Sequence, residues 1–547
     1  MVQTAQNFSL AFRRLLEIRN LRKDSEIESF LFSGLESLHD PFLMKNMREV
    51  KARLEKAVET KEKIFLHGDY DVDGITGVAL MVQTLERLGG IVTTFLPERE
   101  RDGYGVSETA IRKAYHDGAG LIVTVDCGIT AKREIEIAKS LGLDVVVIDH
   151  HRLPPEGLPD THLILNPLQP DCPYPFKELS AAGLAFKLSQ ALLGEQAFKF
   201  LDLVTLSTIS DIAPLTGENR ILVRRGLEML SGKKSAGLTA LAEIAKMKTT
   251  KVDTGHVGFI LGPRLNAAGR MSSPDTALRL LLTEEPREAE SLAKILNEEN
   301  KVRQQYEREI TRSAIQKVER TVNFNRERVL VVDGKDWHVG VIGIVASRLV
   351  EKFSRPAIVI AIAEGMGRGS GRSMKGFHLF QALQNCESLL EEFGGHEQAA
   401  GLTIREENIS FLREKINAFA SENLSPELLT RYVKVDMDLK LGELTNHFLE
   451  ELELLEPYGV GNPRPVFRSE GIQLRSKPRR LYGETYEIVM TDGFLNYQAQ
   501  INESQMLLCT GSRPGTNFQA AYGVKTKQWN GMKTLILSVK ELKENAA

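Results

Sequence analysis

The chain is poor in cysteine, in tryptophan and in long apolar runs. Its four cysteines, Cys127, Cys172, Cys386 and Cys509, are widely spaced and form no Cys-x-x-Cys pair. That excludes a disulfide framework and a zinc knuckle, and it fits a reducing compartment. No stretch approaches about eighteen consecutive apolar residues, and the opening MVQTAQNFSLAFRRLLEIRN has no long apolar segment. No membrane partner is therefore expected, and the expected location is the cytoplasm. A surplus of one charge is also missing: 70 Lys and Arg stand against 73 Asp and Glu, a net charge of −3. Wholesale non-specific nucleic-acid binding is not expected from that balance, although an acidic metal site would offset a local basic track. Internal repeats and low-complexity segments are absent too.

What is present divides into segments. At 547 residues, 42% hydrophobic and 26% charged, the chain suits three or four globular domains of about 150 residues each. Residues 1–60 read as an N-terminal segment of short amphipathic helices, interrupted at His39-Asp40-Pro41. Residues 61–285 begin with strand-like runs alternating with helical ones, the pattern of a doubly wound α/β sheet. They continue as helices broken by LGPRLNAAGRM. Residues 286–322 are polar, without Gly or an internal Pro; one continuous helix here would span about 55 Å, and a helix pair is the alternative. A second α/β unit covers 323–430. Residues 431–547 carry short alternating runs with Gly and Pro turns, which predicts a small β-barrel.

The chemistry is concentrated between residues 63 and 151. Three apolar runs, KIFLHGDYDVDG, GLIVTVDCG and LDVVVIDHH, each end in metal-ligand residues. Such runs are buried strands of a parallel sheet, and ligand sites in these sheets lie beyond the carboxyl ends of the strands. Those ends carry His67, Asp69, Asp71, Asp73, Asp126, Asp149, His150 and His151. Taken singly, Asp126 could be a helix N-cap and Asp149-His150-His151 a surface turn. Recurring at three strand ends, they would repel one another unless cations sat among them. A fourth element is Asp211, ending the apolar LDLVTLSTIS run, where an acid is disfavoured by the negative helix end. Asp71, Asp73, Asp126 and Asp211 supply four negative charges, which two divalent ions would neutralise. Mixed imidazole and carboxylate ligands favour Mn over Mg, though Mg would also fit. Two such ions suit phosphoester hydrolysis.

HGDYDVDG, VDCG, DHH and SDIAP resemble, in order, the motifs of the DHH phosphoesterase superfamily. LPERERDGYG, GPRLNAAGRM, GSGRS, FGGHEQAAG and EPYGVGNPRPVF narrow the resemblance to the RecJ family of bacterial single-strand-specific 5′→3′ exonucleases, from about residue 39 onward. The resemblance implies an OB-like C-terminal barrel and a DHH-associated second unit. It assigns His67 and Asp71 to one metal, and Asp73, His150 and Asp211 to the other, with Asp126 bridging. Asp69 and Asp149 would orient ligands or waters, and His151 would face the scissile phosphate. It further implies single-stranded DNA with a 5′ end as substrate, 5′-mononucleotide products, and work in DNA repair and recombination. A single-strand-binding protein and a RecQ-like helicase are the implied partners of a monomer. Other readings are a DHH phosphodiesterase of short oligonucleotides or cyclic dinucleotides, a pyrophosphatase, and an inactive DNA-binding scaffold. The basic barrel counts against the small-substrate enzymes, and the intact ligands count against the scaffold.

An end-specific exonuclease must also grip a phosphate, best done by Arg forks and backbone N–H groups. Candidates are Arg99, Arg264, Arg270, and Arg372 with Ser373; the resemblance places these near the bound strand and adds Gly395 with His396, which could instead be a buried helix-start histidine. In the barrel, RPVFRSEGIQLRSKPRR holds six basic residues and one acid. Phe467 is available there for stacking on a base. Tyr482, Tyr522 and Trp529 are further aromatics, for which packing is the default.

Overall fold

The computed structural model describes residues 8–545 apart from 99, 100, 102, 104, 233, 250, 514, 530 and 531. The first apolar runs form a five-stranded parallel sheet: β1 (Lys63–Gly68), β2 (Ile91–Phe95), β3 (Ala119–Val125), β4 (Asp144–Ile148) and β5 (Ile164–Leu165). Their order is β2-β1-β3-β4-β5, so the chain changes direction between β1 and β3, where ligand crevices open in such sheets. The register puts Val125 opposite both Gly68 and Ile148. Asp69, Asp126 and Asp149 thus leave three neighbouring strands at one level. Helices cover both faces, which is why the runs are apolar throughout rather than alternating.

Polar residues inside this core are paired. Lys187 Nζ lies 2.8 Å from Glu218 Oε1 and donates to the His39 carbonyl at 2.8 Å, while Tyr174 Oη donates to Glu218 Oε2 at 2.5 Å. Lys187 and Glu218 are both essentially inaccessible. Removing one partner strands a buried charge, so Lys187→Met is expected to cost about 3–5 kcal/mol of stability. Urea denaturation measures it; a loss below about 1 kcal/mol, the range of an exposed pair, would contradict the description.

GPRLNAAGRM is not a break. Gly262–Met271 is helical and continues directly from the π-helical turn Val257–Leu261, whose wider winding lies just before Pro263 and accommodates a residue that cannot donate. Its glycines serve contact rather than interruption: a Cβ on Gly269 would lie 2.3 Å from the Tyr70 carbonyl oxygen.

Residues Pro286–Thr321 form one 36-residue helix. Ala289, Leu292, Ala293 and Leu296 enter the core of the first unit, and Ile310, Ala314 and Val318 that of the second. Two short apolar stripes at helical spacing make one rigid element part of two cores. The second unit is a mixed sheet of β6 (Leu330–Lys335), β7 (Ala357–Ala363), β8 (Met366–Arg372), β9 (Leu390–Gly395) and β10 (Ala399–Arg405). Its order is β6-β7-β8-β10-β9.

Seven strands make the third: β11 (Met437–Asp438), β12 (Val466–Leu474), β13 (Arg479–Tyr482), β14 (Thr485–Thr491), β15 (Asn496–Ile501), β16 (Phe518–Trp529) and β17 (Met532–Glu544). An added β12–β14 pairing closes the sheet on itself. Its core takes in Phe12, Leu15, Leu16, Ile27 and Leu31 from the amino-terminal helices, whereas Met47, Val50 and Leu54 pack into the first unit. Residues 8–59 are thus shared between two cores. Phe467 is not available for stacking: it is fully buried, edge-on to Phe448 at 5.8 Å. Tyr522 is buried as well, its hydroxyl 2.7 Å from that of Ser469. Tyr482 is 65% exposed, and the Trp529 side chain lies outside the described residues. Phe467→Ala is expected to cost about 3–5 kcal/mol of barrel stability, read from the denaturant midpoint; an unchanged midpoint would place the ring outside the core. Among the described residues no helix is long and apolar enough to cross a membrane.

Candidate metal centre and phosphate grip

After β1 the chain turns at once into the helix Val72–Arg87, with Asp71 as its N-cap, accepting from Asp73 N at 2.9 Å and Gly74 N at 3.4 Å. Asp73, one step inside, accepts from Ala181 N (2.8 Å), Ala182 N (2.9 Å) and Ser207 Oγ (2.6 Å). Asp126 takes a left-handed conformation, φ 65°, which aspartate tolerates better than most residues. Asp149 accepts from Ile129 N at 2.9 Å and from His151 Nδ1 at 2.7 Å. Asp211 caps the carboxyl end of the helix Leu201–Ser210.

These turns converge. His150 Nε2 lies 3.2 Å from Asp126 Oδ1, 3.7 Å from Asp73 Oδ2 and 3.8 Å from Asp211 Oδ2. Three groups of potential ligands have donor atoms within 4.8 Å of one another: Asp69-Asp71-Asp126, Asp73-His150-Asp211 and Asp126-His150-His151. Asp126 is common to the first and third, and His150 to the second and third. His67 belongs to none of them. Its ring is buried, with Nδ1 3.5 Å from Cys127 Sγ.

The charges ask for cations. Burial, then Asp73, raises the Asp71 pKa; burial, then Asp73, Asp71, Asp69 and Asp211, raises that of Asp126 well above its usual range. Burial, then Asp73 and Asp71, lifts Asp211 to about 8. Asp126 Oδ1 is buried and takes no hydrogen bond. An orphaned buried acceptor among mutually repelling carboxylates fits a hard divalent ion. His151 behaves differently: burial opposes its charge, but the Asp149 hydrogen bond and carboxylates nearby raise its pKa to about 9.

The helix Gly262–Met271 props the Asp69–Asp73 turn: Asn266 Oδ1 accepts from Val72 N at 3.1 Å. Arg270, near enough to favour the Asp71 carboxylate, donates to the Gly340 carbonyl of the second unit at 3.1 Å. Arg264 faces elsewhere, donating to Ile260 O (2.8 Å) and to Asn297 Oδ1 (3.1 Å) of the long helix. Arg99 lies outside the described residues.

From the second unit, Arg372 ends β8, donating to Gly371 O at 2.8 Å, and Ser373 Oγ donates to Phe377 O at 2.8 Å. Gly395, φ 139°, makes the β9–β10 turn, and His396 follows it exposed, so it is not a buried helix-start residue. Burial, then the charges of Arg152, Arg372 and His151, lowers the His396 pKa. Arg152 of the first unit and Arg372 of the second therefore both lie near His396, with His151 between them and the carboxylates it faces. Sequence reasoning missed Arg152, Ser207 and Asn266. For Ser207 the signal was a small polar residue on an otherwise apolar buried helix, which needs a partner.

Residues 63–208 match the DHH family N-terminal domain, 326–422 the DHHA1 domain and 435–541 the RecJ OB domain. The single-stranded-DNA-specific exonuclease RecJ of Bacillus subtilis is 39% identical over 94% of this chain, which spans 65% of that protein's length. The RecJ of Escherichia coli is 35% identical, with 88% of this chain and 86% of that protein covered. RecJ of Thermus thermophilus has been solved with Mn2+ (31% identity, TM-score 0.83, covering 98% of this chain and 76% of that one). Its Mg2+ complex gives 30% identity and a TM-score of 0.77, covering 98% and 74%. The chain belongs to the RecJ family of single-stranded-DNA-specific exonucleases.

Proposed function

We propose that this protein hydrolyses single-stranded DNA from the 5′ end, releasing 5′-mononucleotides. The observation that carries the reading is the joining of carboxylates and imidazoles from four chain segments, with Arg372 and His396 of the second unit beside them. Asp73, His150 and Asp211 would hold one Mn2+ or Mg2+ ion. Asp71, with His67 and Asp69 nearby, would hold a second, and Asp126 would serve both. The bound ions supply an activated water and neutralise the phosphate.

The rest is work for the chain's own residues. Asp149 orients His151 through Nδ1 and favours the imidazolium, whose charge offsets that developing on the phosphate. Arg372, Ser373 and His396, with the Gly395 turn, hold the terminal phosphate of the strand. Arg270 ties the turn at Asp71 to the second unit, keeping the two sides of the cleft in register. We assign catalysis to residues 61–285, spacing to 286–322, the facing wall to 323–430 and strand capture to 431–547. The basic stretch on β12 and β13 supports that last assignment, although Arg468 is paired with Asp438 and Arg479 with Glu487. An enzyme confined to single strands needs a partner that opens duplexes. We therefore place this protein, as a cytoplasmic monomer, beside a RecQ-like helicase and a single-strand-binding protein in repair and recombination.

Digestion of an oligonucleotide labelled at either end, with Mn2+, tests the reading. Mononucleotides released from the 5′ end of the single strand, with the duplex intact, are expected. Digestion from the 3′ end, or of dinucleotides alone, would overturn it. Hydrogen bonds to a charged group are worth about 1.5–3 kcal/mol. Arg372→Ala is therefore expected to raise KM for DNA roughly tenfold or more, with kcat less affected. An unchanged KM would remove Arg372 from the grip.

A further inference from the structure

Asp211 is held differently from Asp71, Asp73 and Asp149. Backbone N–H groups or hydroxyls fix Asp71, Asp73 and Asp149. Among the described residues no hydrogen bond reaches the Asp211 carboxylate, whose side chain is 31% exposed. Its position therefore rests on the backbone that follows.

That backbone is strained. Ile212 N donates to Ile209 O (3.3 Å) and Ala213 N to Thr208 O (3.0 Å), the paired bonds of a helix-ending turn whose left-handed position normally takes glycine. Here it is a β-branched isoleucine at φ 62°, 67% exposed, a genuine outlier. Such a conformation persists only where the surroundings impose it.

The residues that follow, Pro214–Thr216, pack against a loop almost 250 residues further along the chain, between the helix Asn446–Leu454 and β12. Leu215 N donates to Val460 O at 2.7 Å. Gly461, at φ 73°, sits so close that a Cβ would lie 2.9 Å from Thr216 Cγ2 and 3.2 Å from Pro214 Cβ; one on Gly459 would lie 2.7 Å from Leu215 Cδ1. The loop is in turn bolted to the first unit. Arg220, 3% exposed, donates to the carbonyls of Leu454 and Leu455 at 2.8 Å, and Arg224 to that of Glu456 at 3.2 Å.

We propose that the loop Leu455–Gly461 is a positioning element for Asp211, clamping Pro214–Thr216 and so imposing the turn at Ile212 that aims the carboxylate. The proposal rests on the reading of Asp211 as a metal ligand. It makes Leu215, Gly459 and Gly461 positioning residues, and it links docking of the C-terminal barrel to metal affinity, each favouring the other.

Mn2+ titration of the full-length, chelator-stripped protein, followed by the electron paramagnetic resonance of the free ion, tests it. Outer residues that orient a ligand typically change metal affinity about 10–100-fold. Gly461→Ala is expected to weaken one class of Mn2+ site about tenfold, while the other class keeps its affinity. Adding Ile212→Gly, which lets the turn form without the clamp, is expected to restore much of the loss. If Gly461→Ala does not fold, Gly459→Ala makes the milder version of the same test. Wild-type Mn2+ affinity in the folded glycine variant, or no restoration by Ile212→Gly, would overturn the proposal. Asp211→Ala separates the two failures: if it leaves Mn2+ binding unchanged, the ligand reading fails rather than the coupling.

Discussion

Asp126→Asn is expected to lower kcat roughly a thousandfold, the equivalent of about 4 kcal/mol of transition-state stabilisation. The carboxylate is shared by two of the three ligand groups and has a buried oxygen that accepts no hydrogen bond. Asparagine keeps its shape and removes the charge on which both groups depend. The same change relieves repulsion from Asp73, Asp71, Asp69 and Asp211. The metal-free variant is accordingly expected to melt no lower than the metal-free parent. Single-turnover hydrolysis and calorimetry on the two proteins check both halves. Retained activity, or a metal-free variant markedly less stable than its parent, would mean that Asp126 serves the fold and not the ions.

The second large effect is on metal removal, and it carries a pH signature. Burial and neighbouring carboxylates raise the folded-state pKa of Asp71 and Asp126, and that of Asp211 to about 8. An acid whose pKa is raised by folding holds a proton that the unfolded chain has released. Its contribution to stability is complete below the unfolded value, about 4, and is lost as pH rises through the folded value. Chelator-stripped protein is thus expected to lose stability steadily from about pH 4 to about pH 8. Mn2+ reverses the loss by binding the ionised form, adding about 2.7 kcal/mol at a hundred times its dissociation constant. The gain on adding Mn2+ should be larger at pH 8 than at pH 5.5. Melting curves at the two pH values, with and without Mn2+, decide it; an equal gain at both would contradict the charge account.

What could be read from the sequence was local. Apolar runs ending in Asp and His placed the parallel sheet and its mouth, because a strand buried on both faces has no polar alternation and its end is where the backbone can turn a side chain outward. Asp211 was visible for a related reason, an acid standing at the negative end of a helix. The pieces that were not visible are tertiary. Pro263, Gly262 and Gly269 carry the local signature of a broken helix, yet the π-helical turn Val257–Leu261 accommodates the proline and the glycines admit Ser210 and Tyr70. Phe467 reads equally well inward or outward, because the β12–β16 register shifts between Ser469 and Ile472 and alternation loses its parity. Nothing local says that Ser9 will donate to Glu451, or that the first helices complete a barrel at the other end of the chain. Ser207 and Asn266 hold Asp73 and Val72 across gaps of 134 and 194 residues.

The most direct test of the account is anomalous scattering at the manganese edge from crystals of the full chain grown with Mn2+. Two peaks are expected about 3.5–4 Å apart, one beside Asp73, His150 and Asp211, the other beside Asp71, with Asp126 between them. A single peak, or a pair that Asp126 does not join, would contradict it.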